Sequence, residues 1–203
     1  MIKRTLFVLM VFASCWTKAQ DTVIVKEAFT SYFSYQLHEP LYIVYNLYKG
    51  GGDCSRKSVQ FKTGNLPYSA TSVDYKASGY DKGHLCNAED KAYDCSLDAQ
   101  TFFYYNCVPQ TPRMNRGIWK TWETTIREES QQDSLKIICG SIFGNKKMGL
   151  DSIGVPDACW KIVISLSTGK VTHCMLFPND LSNSYEKIDV EELKRKLNYN
   201  LIY

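Results

Sequence analysis

The residue best suited to moving a proton is His84, one of only three histidines in the chain, set in the run Ser78-Gly79-Tyr80-Asp81-Lys82-Gly83-His84-Leu85. Imidazole titrates near neutrality, which makes it the usual general base. Gly83 is expected to let the backbone turn sharply and project the ring from a strand end or loop. A histidine merely held in a turn by Asp81 would produce the same run. A second group lies downstream: Asn106-Cys107-Val108-Pro109-Gln110, then Asn115-Arg116-Gly117-Ile118-Trp119, then Glu123. On a helix, Asn115, Trp119 and Glu123 fall at i, i+4 and i+8 and share one face. An amide oxygen and a carboxylate on one face suit a hard cation that keeps most of its waters. A capping asparagine and a solvent-facing glutamate would account for either residue alone. Cys86, two residues past His84, offers a different chemistry, a thiol hydrolase, although a disulfide half is the simpler reading. Arg113, Arg116, Lys120 and Arg127 could track phosphates or form a plain solvated face. His38 reads as a surface residue, and His173 as core or groove wall.

These groups need a scaffold, and the hydrophobic pattern supplies one. Residues 33–37 and 41–48 are rich in aromatic and β-branched side chains and read as strands, the second closed by Gly50-Gly51-Gly52. Residues 53–79 read as loop. A short helix is expected over 96–105 and a longer one over 116–129. Residues 135–143, 158–165 and 171–177 read as strands, the last two joined by a hairpin at Ser167-Thr168-Gly169-Lys170. A final helix opens at Asp189, with Glu192 completing a capping box and Ile188 against Leu193 as a staple. The fold class is α+β, an antiparallel sheet with helices packed on it.

Composition narrows the setting. The 9 Phe, 14 Tyr and 4 Trp can bury a core, which excludes a disordered chain. No apolar run is long enough for a membrane-spanning helix. Residues 1–19 have a basic start (Lys3-Arg4), an apolar stretch and small residues at Thr17 and Ala19, and read as an export signal ahead of one domain over 20–203. The location is then periplasmic or extracellular, with acylation at Cys15 a minor alternative. Removing that segment takes away Lys3, Arg4 and Lys18, so the formal charge of +3 falls to zero. Any polyanion must therefore bind through a local patch. Of the 8 cysteines, all but Cys15 remain, a number ordinary in an oxidising compartment. Cys86 and Cys95 are close enough to bridge a short loop, and Cys139, Cys159 and Cys174 lie in three segments that could be sheet neighbours. The odd remainder leaves at least one thiol free or paired outside the chain.

The order D-x-G-H, N-x-x-P-Q, N-x-G-x-W-x-x-x-E, followed by Ile138-Cys139-Gly140, Val155-Pro156-Asp157-Ala158-Cys159-Trp160-Lys161 and Phe177-Pro178-Asn179, closely resembles the DNA/RNA non-specific endonuclease family. The resemblance covers roughly residues 40 to 200. It implies a ββα-metal finger in which His84 is the general base, and Asn115 is the direct ligand of Mg²⁺, with Mn²⁺ able to substitute. Glu123 would hold waters of that ion. Asn106 would orient His84 or support the metal shell, and Asp81 would brace the motif. Arg56, with Lys57 as an alternative, would bind phosphate. Lys82 and Arg116 would contact substrate, while Gly83 and Trp119 would support the site. The substrates would be DNA and RNA, the products 5′-phosphates, and a protein inhibitor or immunity protein a partner. One departure is Lys82, where the family has Arg: the charge stays but the bidentate fork is lost. A catalytically weak or inactive binding relative is the alternative that this departure raises.

Overall fold

The computed structural model describes residues 20–202, so the export-signal and Cys15 readings lie outside the described residues. Among the described residues nine strands form: β1 (Thr22–Val25), β2 (Thr30–Ser34), β3 (Glu39–Leu47), β4 (Asp81–His84), β5 (Cys107–Gln110), β6 (Leu135–Met148), β7 (Ile153–Ser165), β8 (Val171–Pro178) and β9 (Glu186–Lys187). Seven make one antiparallel sheet in the order β1-β2-β3-β6-β7-β8-β9, while β4 and β5 pair separately. The helices are α1 (Ser72–Tyr75), α2 (Cys95–Gln100), α3 (Pro112–Met114), α4 (Lys120–Glu129) and α5 (Val190–Lys196), with a π-helical turn at Asn115–Trp119 joining α3 to α4. The fold is α+β, as the pattern of apolar runs indicates.

The central strands are apolar on both faces because both faces are covered. Side chains alternate along β7. Trp160 points to one side, where its indole N–H donates to Tyr199 Oη at 3.1 Å and α5 contributes the buried Leu193. Lys161 points to the other, its ammonium 3.7 Å from the Trp119 ring centre. The finger β4–β5 and the site helix pack on that second side, where Gln110 donates to Cys159 Sγ at 3.4 Å. Asp189 caps α5 by accepting from Glu192 N at 2.6 Å, as the capping signal predicts. No helix among the described residues is long and apolar enough to cross a membrane.

The cysteines depart from expectation. Cys54 pairs with Cys95, across 41 residues, not Cys86 with Cys95. Cys86 is a free, fully buried thiol, and burial pushes its pKa well above the usual thiol range. That removes the thiol-nucleophile reading, because a nucleophile needs thiolate and access. Cys139, Cys159 and Cys174 do lie on neighbouring strands, all unbridged and buried. His38 is half-buried beside Tyr68, not a surface residue. His173 forms a wall residue, 2.8 Å from Glu129 and edge-on to Trp122.

Candidate active site

Strands β4 and β5 are only four residues each, yet their register sets the site: Asp81 faces Gln110, Lys82 faces Pro109, Gly83 faces Val108 and His84 faces Cys107. The chain then enters α3 through Thr111, whose hydroxyl accepts from Met114 N at 3.3 Å. Gly83 lies in extended strand, not in a sharp turn. A Cβ there would sit 2.0 Å from Gln110 Oε1, so glycine is needed for close approach.

His84 ends β4 with its ring 4.9 Å from Phe61 and 5.0 Å from Phe102, the latter edge-on. Its Nε2 is covered and has no protein partner. Burial, reinforced by the charge of Arg56, pushes its pKa down to about 4, so the imidazole is neutral at pH 7. Arg56 reaches the same place from the 53–79 loop. Its Nε donates to Asp98 and its Nη1 to Glu89, both at 2.7 Å, while Nη2 is covered and unpartnered.

Across the cavity, Asp81 accepts from Arg116 at 2.8 and 2.6 Å and from Asn115 Nδ2 at 2.9 Å. Partial burial raises the Asp81 pKa, but the bonds from Arg116 and Asn115 outweigh it and hold the group below its usual value. Committing the amide nitrogen of Asn115 to Asp81 leaves the amide oxygen for the cavity. Two turns on, Glu123 is buried, which pushes its pKa up to about 7, against the pull of Lys161, while Asp90 pushes it further up. Asn87 hydrogen-bonds Glu123, and Arg127 bridges Asn87 (3.2 Å) to Asp90 (2.9 Å), which also accepts from Tyr45 Oη at 2.8 Å.

His84, Arg56, Asn115, Arg116, Glu123 and Arg127 thus line one cavity of about 840 Å³. Its oxygen donors are hard ones, the amides of Asn87 and Asn115 and the carboxylates of Glu89 and Glu123, of which Glu89 is paired with Arg56 and Asn87 with Glu123. Among the described residues no group of three or more His, Cys, Asp or Glu side chains could hold an ion. The arrangement fits a cation that retains most of its waters, such as Mg²⁺, and not a closed protein cage.

Three expected site residues, Asn106, Lys82 and Lys57, are placed elsewhere. Asn106 does not touch His84 or the cavity. Its side chain is fully buried and clamps the backbone, accepting from Cys86 N at 2.8 Å and donating to Cys86 O and Thr101 O at 2.9 and 2.8 Å. Lys82 does not line the cavity. Its ammonium lies 5.5, 5.6 and 5.8 Å from the rings of Phe61, Tyr104 and Tyr75. Lys57 is exposed and outside the lining, so Arg56 is the loop cation at the site. Trp119 supports the site helix from the core, as expected of a packing residue, and does not share the cavity face with Asn115 and Glu123. The non-helical backbone of Gly117 (φ −105°, ψ −112°) interrupts the helical period, and Trp119 is buried against Phe177 and Lys161. The sequence reading missed Asn87, Asp90, Lys161, Phe61 and Phe102 as site neighbours. None carries a spacing signal, because each arrives from a different element.

Comparison with known proteins agrees with this geometry. A family profile described as DNA/RNA non-specific endonuclease matches residues 13–201. A nuclease of Nostoc sp. is 32% identical over 143 residues, covering 63% of this chain and 52% of that protein. Human mitochondrial nuclease EXOG is 28% identical over 130 residues, 56% of this chain and 35% of EXOG. Human mitochondrial endonuclease G is 25% identical over 134 residues, 58% and 45%. The chain therefore spans about half the length, or less, of these relatives. An EndoG chain solved in complex with EndoGI superposes with a TM-score of 0.76 at 19% identity, covering 88% of this chain and 84% of that one, which shows a shared fold. With the profile spanning nearly the whole chain, this protein belongs to the DNA/RNA non-specific endonuclease family.

Proposed function

We propose that the protein is a metal-dependent endonuclease that hydrolyses phosphodiester bonds of DNA and RNA with little sequence preference. The observation that carries this is a neutral histidine with a free nitrogen sharing one cavity with an arginine donor, an amide oxygen and a buried carboxylate. A phosphodiester repels nucleophiles, so charge must be neutralised before water attacks. Arg56 Nη2 would donate to a non-bridging phosphate oxygen. His84 would take a proton from the attacking water, a contribution of about 10²- to 10⁴-fold. The bond to the 3′ oxygen breaks, that oxygen takes a proton from a water to leave as the 3′-hydroxyl, and the other product keeps the 5′-phosphate. Asn115 and Glu123 would hold a hydrated divalent cation, which when bound stabilises the charge developing on the phosphate and leaving oxygens. Asp81 fixes the Asn115 amide, and Arg116 fixes Asp81. Water as nucleophile requires no 2′-hydroxyl, so both DNA and RNA qualify. Contact with backbone groups alone gives no sequence readout.

Export to an oxidising compartment is part of the proposal, supported by the Cys54–Cys95 bridge. So is a protein inhibitor, since EndoG itself is solved bound to EndoGI. The test is digestion of supercoiled plasmid and of RNA with Mg²⁺ or Mn²⁺, with and without EDTA, followed by end-group analysis. Cleavage that EDTA leaves intact, or 3′-phosphate products, would sink the mechanism. Binding without any cleavage would identify the inactive relative that Lys82 raises.

A further inference from the structure

We infer that the Cys54–Cys95 disulfide is a positioning element of the site: it holds Arg56 beside His84, and breaking it disables cleavage without unfolding the protein. The inference rests on the nuclease reading above. Cys54 stands two residues before Arg56, and Cys95 three residues before Asp98, the buried carboxylate that Arg56 grips at 2.7 Å. The bridge therefore staples the two chain segments whose side chains form that ion pair. The segment needs a staple. Its flanks are tied by Gly51 N to Glu89 O and by Lys62 N to Phe102 O, both at 2.9 Å. Between them, among the described residues, the only backbone hydrogen bond is the local one from Val59 N to Arg56 O. A segment without a ladder loses its order readily, which leaves Arg56 held by its own ion pairs to Glu89 and Asp98 alone once the bridge is broken.

The bond is also open to chemistry. Cys95 is exposed and Cys54 half-buried, while Cys86, Cys107, Cys139, Cys159 and Cys174 are buried thiols. A dithiol such as dithiothreitol breaks the S–S bond. Each protein sulfur gains one electron and one proton, and the dithiol closes to its own cyclic disulfide. The core is untouched, since the main sheet contributes no disulfide to this exchange.

The experiment compares plasmid cleavage by oxidised protein, reduced protein and the Cys54→Ser/Cys95→Ser variant, each with thiol titration, circular dichroism and melting. The same bridge-breaking change is then made in an Arg56→Gln background. The expected result is two newly reactive thiols, unchanged circular dichroism at the assay temperature and a loss in kcat/KM on the order of ten- to a hundredfold, restored by reoxidation. In the Arg56→Gln background, breaking the bridge should add little, because both changes act through one group. An equal further loss in that background would mean the bridge acts elsewhere and would overturn the inference. So would reduced protein that is folded and fully active. If the serine variant does not fold, reduction and reoxidation of the folded wild type decide the matter, since activity must follow the thiol titre. Oxidised protein that never cleaves overturns the nuclease reading itself. Oxidised protein that cleaves and stays as active after reduction overturns only this inference.

Discussion

At the scale of single residues, the site works by covering its histidine. Burial and the Arg56 charge hold His84 neutral down to about pH 4. The acid limb of kcat/KM assigned to this base should therefore lie near pH 4, well below the ordinary imidazole value, and Arg56→Gln should move it upward; an unshifted limb in that variant would show that Arg56 does not act on His84. His84→Ala should lose about 10²- to 10⁴-fold in rate while remaining folded. The same shift affects stability. In the unfolded chain His84 titrates near 6.5. Between that value and its folded one, the unfolded state binds the extra proton, so stability rises with pH across this window. Acidification from 6.5 towards 4 removes at most about 3 kcal/mol, and a His84→Gln variant should show a flatter acid limb in melting experiments. Lys82 has a different task. Its ammonium rests among three rings, one of which, Phe61, also packs on His84. Lys82→Met should lower stability by about 0.5 to 2 kcal/mol, the range of a desolvated cation–π contact, and leave kcat/KM within a few-fold of wild type. A rise in KM with kcat unchanged would reassign Lys82 to the phosphate.

At the scale of elements, the helix bearing Asn115 and Glu123 is not a regular one. It passes from α3 through a π turn into α4, and π turns recur at functional sites. Gly117 permits this. A Cβ at that position would lie 2.0 Å from Asn183 Oδ1, the atom that accepts from Ile118 N at 2.7 Å. Gly117→Ala should displace Asn183, cost about 1 to 3 kcal/mol in melting experiments and lower kcat, because the change falls between the two proposed metal-shell residues. Unchanged kcat with lowered stability would show that the turn supports the fold and not the site spacing. The finger strands show the same economy. Four residues each suffice because Asn106 locks the backbone just past His84 with two buried hydrogen bonds to Cys86 and ties it to Thr101 with a third.

At the scale of the whole molecule, electrostatics is local. The cavity contains Arg56, Arg116, Lys120 and Arg127, but Arg56, Arg116 and Arg127 are already paired with Asp98, Asp81 and Asp90. Little of that charge is left for phosphates. Nucleic-acid affinity should therefore fall only shallowly with salt, with a log–log slope of about −1 to −2, corresponding to one or two neutralised phosphates. A slope several times steeper, measured on the His84→Ala protein, would locate further basic contacts outside the cavity.

The sequence by itself determined the family and the general scaffold. His84, Asn115 and Glu123 were legible because their spacing lies within short stretches of chain. The long strands and α5 were legible because apolar runs and a capping box are local signals. Tertiary structure decided everything that depends on distant partners. Cys54 chose Cys95 over a nearer-looking pairing, Asn106 turned from the site to the backbone, and Lys82 entered a ring of aromatics from three segments. Strands β4 and β5 were invisible because four residues carry no periodicity. The physical reason is common to all of these. A residue's type limits which bonds it forms, but burial decides which partner is left once water is excluded, and burial is a property of the folded chain.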